Sequence, residues 1–372
     1  MPNYRVAVIG HTGRGNYGHG LDVVWLQIPN AQIVAVADAN EAGRNAAQKR
    51  LGAKNAYADY RQMLQKERPQ IVSVACRHLD QHRDMVLACA EAGASIFLEK
   101  PMCRNLQEAD EMVAACEKHH VKLAIAHQTR HSPRLQRVKD LIADGRLGEI
   151  VELRGRGKED QRAGGEDMMV LGTHIMDLMR LIAGDAHSCF ARVGVVGKER
   201  VTPITKADLH EGGEGMGLIA GNHINAMYTF DRGVVGHFAS VRATRAKGEA
   251  DRFGLTIYGT RGVIQLTTGS LPACHFLADP SWFPGRSRAN WQLITSQGLG
   301  KEETLKDGGL GQGNIWVAQD LIQAIERDRQ PKGSMYDGRA ALEMILAVYE
   351  SARTRGPVEI PLGNRRHPLA GW

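Results

Sequence analysis

Aromatic residues make up only 5% of this 372-residue chain, and cysteine is rarer still, at six residues. The shortage of rings argues against a nucleic-acid surface, which stacks bases on them. The cysteines show no C-x-x-C spacing, which excludes a zinc ribbon or a dithiol centre, and Cys76 in IVSVAC reads as a reduced core residue. No apolar run approaches the roughly 18 residues of a spanning helix, and with the strand YRVAVIG opening almost at once no leader is expected. No membrane partner is expected, and the expected location is the cytoplasm. Nor is charge segregated. The formal net charge is +6, but Lys and Arg are scattered among acidic residues, so no basic stripe marks a nucleic-acid partner. Glycine, by contrast, is abundant at 42 residues and permits tight turns and close backbone approaches.

The length suggests two domains. In the first part, YRVAVIG (4–10), QIVAVAD (32–38), QIVSVAC (70–76), SIFLE (95–99) and VKLAIAH (121–127) are apolar strand patterns separated by helical ones. Alternation of that kind predicts an α/β domain over 1–127, a doubly wound parallel sheet of Rossmann type. A helix is expected directly after the Gly-rich turn that ends the first strand. Others are expected from Asn40 to Leu51, over 80–93, and from Asn105, with Glu108 three residues on, to about His119. From about residue 149 the pattern turns to short strands separated by turns. It predicts an α+β domain over 128–372 with a mostly antiparallel open sheet, interrupted by one helix at roughly 168–183. Two Gly-rich stretches, about 204–221 and 278–314, show no periodicity. Two amphipathic helices close the chain, one of them expected to pack back on the first domain.

The Gly-rich turn offers the register Gly10-x-Thr12-x-x-Gly15, with Gly13 and Arg14 inside it. A pyrophosphate needs a tight turn, a backbone it can approach and free N–H groups at a helix start, and this stretch is expected to supply them. Asp38 closes the second strand, where a carboxylate accepts hydrogen bonds from ribose hydroxyls and repels a 2′-phosphate. NAD is therefore favoured over NADP, with Arg44 the residue that could reverse the choice by covering a phosphate. His119-His120, His127, His131 and His210-Glu211 form no recognised i, i+4 ligand set, so no metal is expected.

These features fall in a telling order. The Gly-rich turn is followed by Asp38, Ala75-Cys76-Arg77-His78 with His82, and Glu99-Lys100-Pro101. After these come Arg130-x-x-Pro133, Gly172-Thr173-His174-x-x-Asp177 and the tail VYESARTRGPVEIPL. In this the chain resembles the glucose–fructose oxidoreductase/inositol dehydrogenase (Gfo/Idh/MocA) family. The resemblance implies NAD-dependent hydride transfer to or from a hydroxyl-bearing carbon of a sugar, cyclitol or glycoside. Lys100, before an expected cis proline, would contact both the nicotinamide ribose and the substrate hydroxyl. Cys76, Arg77, His78, His82, Glu99 and Gln128 would join it around the cofactor. His174 would act as general base or acid, with Asp177 beside it. Thr173, Arg156 and Lys158 are candidates for reading substrate hydroxyls. The chemistry has its own logic, since an alcohol that gives up a hydride must also lose its proton, and a positioned ammonium or imidazole assists by about 10²–10⁴-fold.

Two departures stand out. Val170 occupies the place, four residues before His174, where many family members carry an Asp, and Arg77-His78 replaces a smaller turn. Two other functions therefore stay open: an NAD-retaining glycosidase or lyase working by transient oxidation, and a non-catalytic NAD-binding regulator. An open sheet face usually packs against a twin, so a homodimer or homotetramer is expected.

Overall fold

Near-continuous runs of Val, Ile and Ala can be buried on both faces only in a parallel sheet covered by helices. The computed structural model describes residues 4–197, 200–242 and 252–372. It divides into two units, the first made of Met1–Gln128, Gly213–Gly217 and Leu310–Arg339, the second of Thr129–Gly212, Leu218–Gly309 and Ala340–Trp372. The first begins with β1 (Tyr4–Ile9), β2 (Ala31–Ala37), α1 (Glu41–Leu51), β3 (Asn55–Tyr57), α2 (Tyr60–Glu67) and β4 (Ile71–Val74). It continues through α3 (His82–Glu91), β5 (Ser95–Leu98), α4 (Leu106–Lys118) and β6 (Leu123–Ile125). Among the described residues these strands form one parallel six-stranded sheet in the order β3-β2-β1-β4-β5-β6. The order reverses between β1 and β4, which leaves a crevice at their carboxyl ends. Local signals hold: Asn40 accepts from Gly43 N to open α1, Gly52 ends it at φ +61°, and Asn105 accepts from Glu108 N at 2.9 Å to open α4.

The second unit runs through α5 (Pro133–Ala143), β7 (Ile150–Arg156), α6 (Gly165–Val170), α7 (Gly172–Ala183), β8 (Ser188–Val196), β9 (Val201–Pro203), β10 (Leu209–Glu211), β11 (Leu218–Ala220), β12 (His223–Thr229) and β13 (Val235–Val241). After these come β14 (Gly254–Gly259), β15 (Gly262–Thr267), β16 (Cys274–Leu277), α8 (Pro284–Ser287), β17 (Gln292–Thr295) and β18 (Gly298–Leu299). The chain closes with α9 (Leu310–Glu326), α10 (Met335–Thr354) and β19 (Val358–Glu359). The large sheet has the order β18-β17-β16-β15-β14-β7-β13-β12-β8-β19, with β9 on β8, and among the described residues only its β7–β13 pairing is parallel. The helix expected over 168–183 is broken at Leu171 into α6 and α7. The two aperiodic stretches hold β10, β11, α8, β17 and β18, elements of two to four residues that are too short to show a period. Gly155 of β7 faces Ile175 and Met179, so α7 covers one face of this sheet.

The helix expected after the Gly-rich turn does not form. Gly13, Gly15, Asn16, Gly18 and Gly20 all have φ between +52° and +86°, a left-handed path that no α-helix continues. Only the 3₁₀ segment Val23–Gln27 follows. Its packing partner comes from far along the chain: Val317, Ala318 and Leu321 of α9 share one core with Leu21, Val24 and Trp25. All six cysteines are buried free thiols. Among the described residues, no helix is long and apolar enough to cross a membrane.

Candidate active site

The Gly-rich loop folds as a small hairpin that uses its own donors. His11 N donates to Asn16 O at 2.9 Å, Gly13 N to Asn16 Oδ1 at 3.0 Å, and both Arg14 N and Asn16 N to His11 O at 2.9 and 3.0 Å. Thr12 gives its N–H (3.0 Å) and its hydroxyl (2.7 Å) to Asp38 Oδ2. This corrects the expectation of free N–H groups at a helix start. Gly15 packs tightly on the segment after β4, since a Cβ there would lie 2.7 Å from Arg77 N.

Asp38 is 2% exposed, and its Oδ2 also accepts from the Tyr17 hydroxyl at 2.9 Å, while Oδ1 accepts from Asn40 N at 2.9 Å. Arg44 Nη1 donates to the Asp38 carbonyl at 2.8 Å, which engages its guanidinium on the backbone. Beside Asp38 a cavity of about 180 Å³ is lined by His11, Ala39, Asp59, Tyr60, Gln81 and Met85, among others.

On the other side of the crevice, His11 Nδ1 meets Gln81 Oε1 at 2.8 Å, and Arg14 pairs with Asp80 at 2.6 Å. Arg77 pairs with Glu214, which belongs to a five-residue strap from the later sequence. Burial and the Arg14 charge lower the pKa of the His78 imidazole. Arg77 Nε, His78 Nδ1 and Asp80 Oδ1 are buried with no hydrogen-bond partner among the described residues. Buried polar atoms of that kind call for an external partner. Two donor-capable nitrogens and a carboxylate oxygen suit the phosphates and ribose hydroxyls of a dinucleotide, so the residues present fit NAD.

His82 and Cys76 are fully buried. The His82 ring sits with Nε2 2.8 Å from Cys76 O and Nδ1 3.1 Å from Met102 O, bracing the segment after β4 against the one after β5. Burial pushes the Cys76 thiol up to about 12, so it stays protonated.

Lys100 follows Glu99 at the end of β5, is 7% exposed and precedes a cis peptide to Pro101. Glu99 is completely buried and accepts from His19 N at 3.2 Å and from Lys100 N at 3.2 Å, with His19 Nδ1 3.1 Å away. Burial works to raise its pKa, but the His19 bonds and the Lys100 charge prevail, and it is lowered. Asn314 of α9 donates to His19 O at 2.9 Å and accepts from Gln128 Nε2 at 2.8 Å. A chain of polar contacts, Gln128–Asn314–His19–Glu99, therefore fixes the backbone that carries Lys100. Sequence reasoning missed His19, Asp80, Gln81, Glu214 and Asn314, because they lie tens to hundreds of positions from their partners.

In the second unit His174, 9% exposed, lies in the first turn of α7 with Phe253 edge-on to its ring at 6.1 Å. Thr173 is buried beside it. Asp177, one turn on, accepts from Arg130 Nε with both carboxylate oxygens, at 2.7 and 2.8 Å. The Arg130-x-x-Pro133 and His174-x-x-Asp177 motifs are thus joined by a buried ion pair. Val170 is buried. Asp167, in the same helix as Val170, accepts from Lys158 N and Glu159 N, both at 3.1 Å, and from Ser240 Oγ. Burial raises its pKa. Lys158 is exposed just past the end of β7. Arg156 alternates with Gly155 along β7, which turns it to the face away from α7, where it lines a cavity of about 330 Å³ with Arg192 and Met227. That placement separates Arg156 from His174.

Residues 4–127 match the profile of an oxidoreductase family with an NAD-binding Rossmann fold (GFO_IDH_MocA), and residues 139–360 match its C-terminal alpha/beta domain. The chain belongs to this family. It is accordingly an NAD-dependent oxidoreductase. Levoglucosan dehydrogenase of Pseudarthrobacter phenanthrenivorans is 26% identical over 88% of this chain and 89% of its own. Myo-inositol 2-dehydrogenase of Thermotoga maritima is 27% identical over 49% of this chain and 55% of its own. A solved levoglucosan dehydrogenase, in complex with NADH and L-sorbose, superposes with a TM-score of 0.77 at 21% identity, covering 97% of this chain and 100% of that one, which supports the fold.

Proposed function

We propose that this oxidoreductase acts on a hydroxyl-bearing carbon of a sugar or cyclitol, with Lys100 and His174 handling the hydroxyl proton and Thr173 and Lys158 binding substrate. The observation that carries this reading is Lys100, a buried residue just past the carboxyl end of β5, an interior strand of the Rossmann sheet, on a backbone held by the Glu99–His19 contacts. That edge of the sheet is where a dinucleotide presents its reactive end. When bound, NAD supplies the hydride acceptor or donor. Lys100 orients the substrate hydroxyl and shares its proton, and His174 takes or returns that proton at the same oxygen. Arg130 holds Asp177 and with it the orientation of α7. The relatives named for levoglucosan and myo-inositol support a polyol substrate.

The test is NADH formation from a panel of sugars, inositols and glycosides, with Lys100→Ala and His174→Ala beside the wild type. Both variants are expected to lose about 10²-fold or more in kcat while still binding NAD. Turnover by Lys100→Ala at the wild-type rate would reject the role given to the amine. NAD that co-purifies, with product formed but no NADH released, would favour the transient-oxidation reading.

The open face of the second unit's sheet carries exposed Phe190 and Met227, directly paired across β8 and β12. Apolar side chains paired in this way suit an isologous contact with a second copy. A monomer by light scattering at micromolar concentration would refute that assembly.

A further inference from the structure

The Gly-rich loop spends the N–H groups of His11, Thr12, Gly13, Arg14 and Asn16 on itself and on Asp38, and no α-helix follows it. With no helix start to supply it, most of the positive charge that a pyrophosphate needs must then come from side chains. Two guanidiniums border the crevice at this point, those of Arg14 and Arg77. Arg77 is held by Glu214 at 3.3 Å and packs its backbone against Gly15. Arg14 stands at the tip of the loop, 38% exposed, and is held by one oxygen of Asp80.

Asp80 has the complementary defect. Oδ2 accepts from Arg14, while Oδ1 is buried and accepts from no donor among the described residues. The strap covers it without supplying one: a Cβ on Gly215 would lie 2.7 Å from Oδ1, and the backbone there has φ +63°. An exposed ion pair is weak and easily parted, whereas a buried acceptor without a donor is costly to leave so.

We infer that Arg14 and Asp80 are a preformed pair that the dinucleotide divides, its pyrophosphate taking the Arg14 guanidinium and a hydroxyl of the nicotinamide ribose donating to Asp80. This rests on NAD binding to the first unit. The pair keeps the crevice neutral and closed before binding, and each member then finds a stronger or previously missing partner. An Arg–phosphate contact is charge-assisted and often bidentate, unlike the single contact it replaces. Glu214 and Gly215 act as a roof that keeps water from Asp80 Oδ1.

Calorimetric titration with ADP and with NAD separates the two halves of the inference, because ADP carries the diphosphate without the nicotinamide riboside. Arg14→Ala is expected to weaken both ligands by about tenfold or more, with a shallower salt dependence, and Arg14→Lys to restore part of the loss. Asp80→Asn is expected to tighten ADP, by removing the competing carboxylate, and to weaken NAD. A merely structural role for Asp80 would weaken both ligands alike, and that outcome overturns the inference. So does an Arg14→Ala protein within about twofold of wild type for both. Should Arg14→Ala fail to fold, Arg14→Lys and Asp80→Asn decide by the same criteria. A wild-type protein that bound neither nucleotide would refute NAD binding itself.

Discussion

Tyr17 donates its hydroxyl to Asp38 at 2.9 Å while its ring lies so close to Gly10 that a Cβ there would sit 2.2 Å from a ring carbon. The first glycine of the loop and the acid at the end of β2 are therefore coupled through a side chain that belongs to neither motif. Burial and the Asp38 charge push the Tyr17 phenol well up, so it remains a donor at any physiological pH.

Tyr17→Phe keeps the ring against Gly10 and removes one of the donors to Asp38 Oδ2. A hydrogen bond to a buried carboxylate contributes about 1.5–3 kcal/mol, so the urea midpoint should fall. Discrimination between NAD and NADP in calorimetry should narrow as Asp38 gains freedom to turn. An unchanged midpoint would remove Tyr17 from the network.

Gly43 lies in the first turn of α1, where replacing Gly by Ala ordinarily stabilises by about 1 kcal/mol. Here the sign should reverse. A Cβ on Gly43 would lie 1.9 Å from Thr12 Oγ1 and would push Thr12 off Asp38. Gly43→Ala is expected to lose about 1–3 kcal/mol in chemical denaturation and to bind NAD more weakly. A gain in stability would show that Thr12 relocates without cost.

The Arg130–Asp177 pair is almost wholly buried, at 6% and 2% side-chain exposure. Removing one partner strands the other charge, at about 3–5 kcal/mol. Asp177→Asn should lower stability by that order, whereas a double apolar replacement should recover much of it. A double variant no better than the single one would indicate that the pair acts through further contacts.

Glu303 accepts from Arg134 Nε at 2.8 Å, Ser296 N at 3.0 Å and Leu305 N at 3.0 Å, with the Ser296 hydroxyl also bound. Burial works to raise its pKa, but these hydrogen bonds prevail and bring it from 4.5 to about 2. A folded-state value below the unfolded one means the stabilisation is complete above the unfolded pKa and is lost as pH falls toward 2. Glu303→Gln should therefore be less stable than wild type by about 2 kcal/mol at pH 7, with the gap closing on acidification. A gap independent of pH would contradict this.

Both domain architectures were legible because they rest on short-range patterns: the apolar strands β1, β2, β4 and β5, Asn40 and Gly52 around α1, and Asn105 before α4. Strand alternation also carried the mostly antiparallel second sheet. The Gly-rich turn misled, since a glycine string is compatible with a helix start and with a run of left-handed residues alike. Tertiary packing from α9 decided for the latter. The partners of the candidate site were illegible for a related reason. His19 and Glu99 are 80 positions apart, and Asn314 and His19 are 295 apart. Nothing local in their sequences announces such a pairing. Arg156 shows the limit of reading a charged residue near a site, because a shift of one residue along a strand changes the face it occupies.

The sharing of α9 with the first unit also bears on biosynthesis. Trp25, Leu21 and Val24 complete their core against Val317 and Leu321, so the nucleotide-binding half cannot finish this core before α9 has been made. Until then an apolar groove stays open to water. A nascent chain in that condition is a natural client for chaperones.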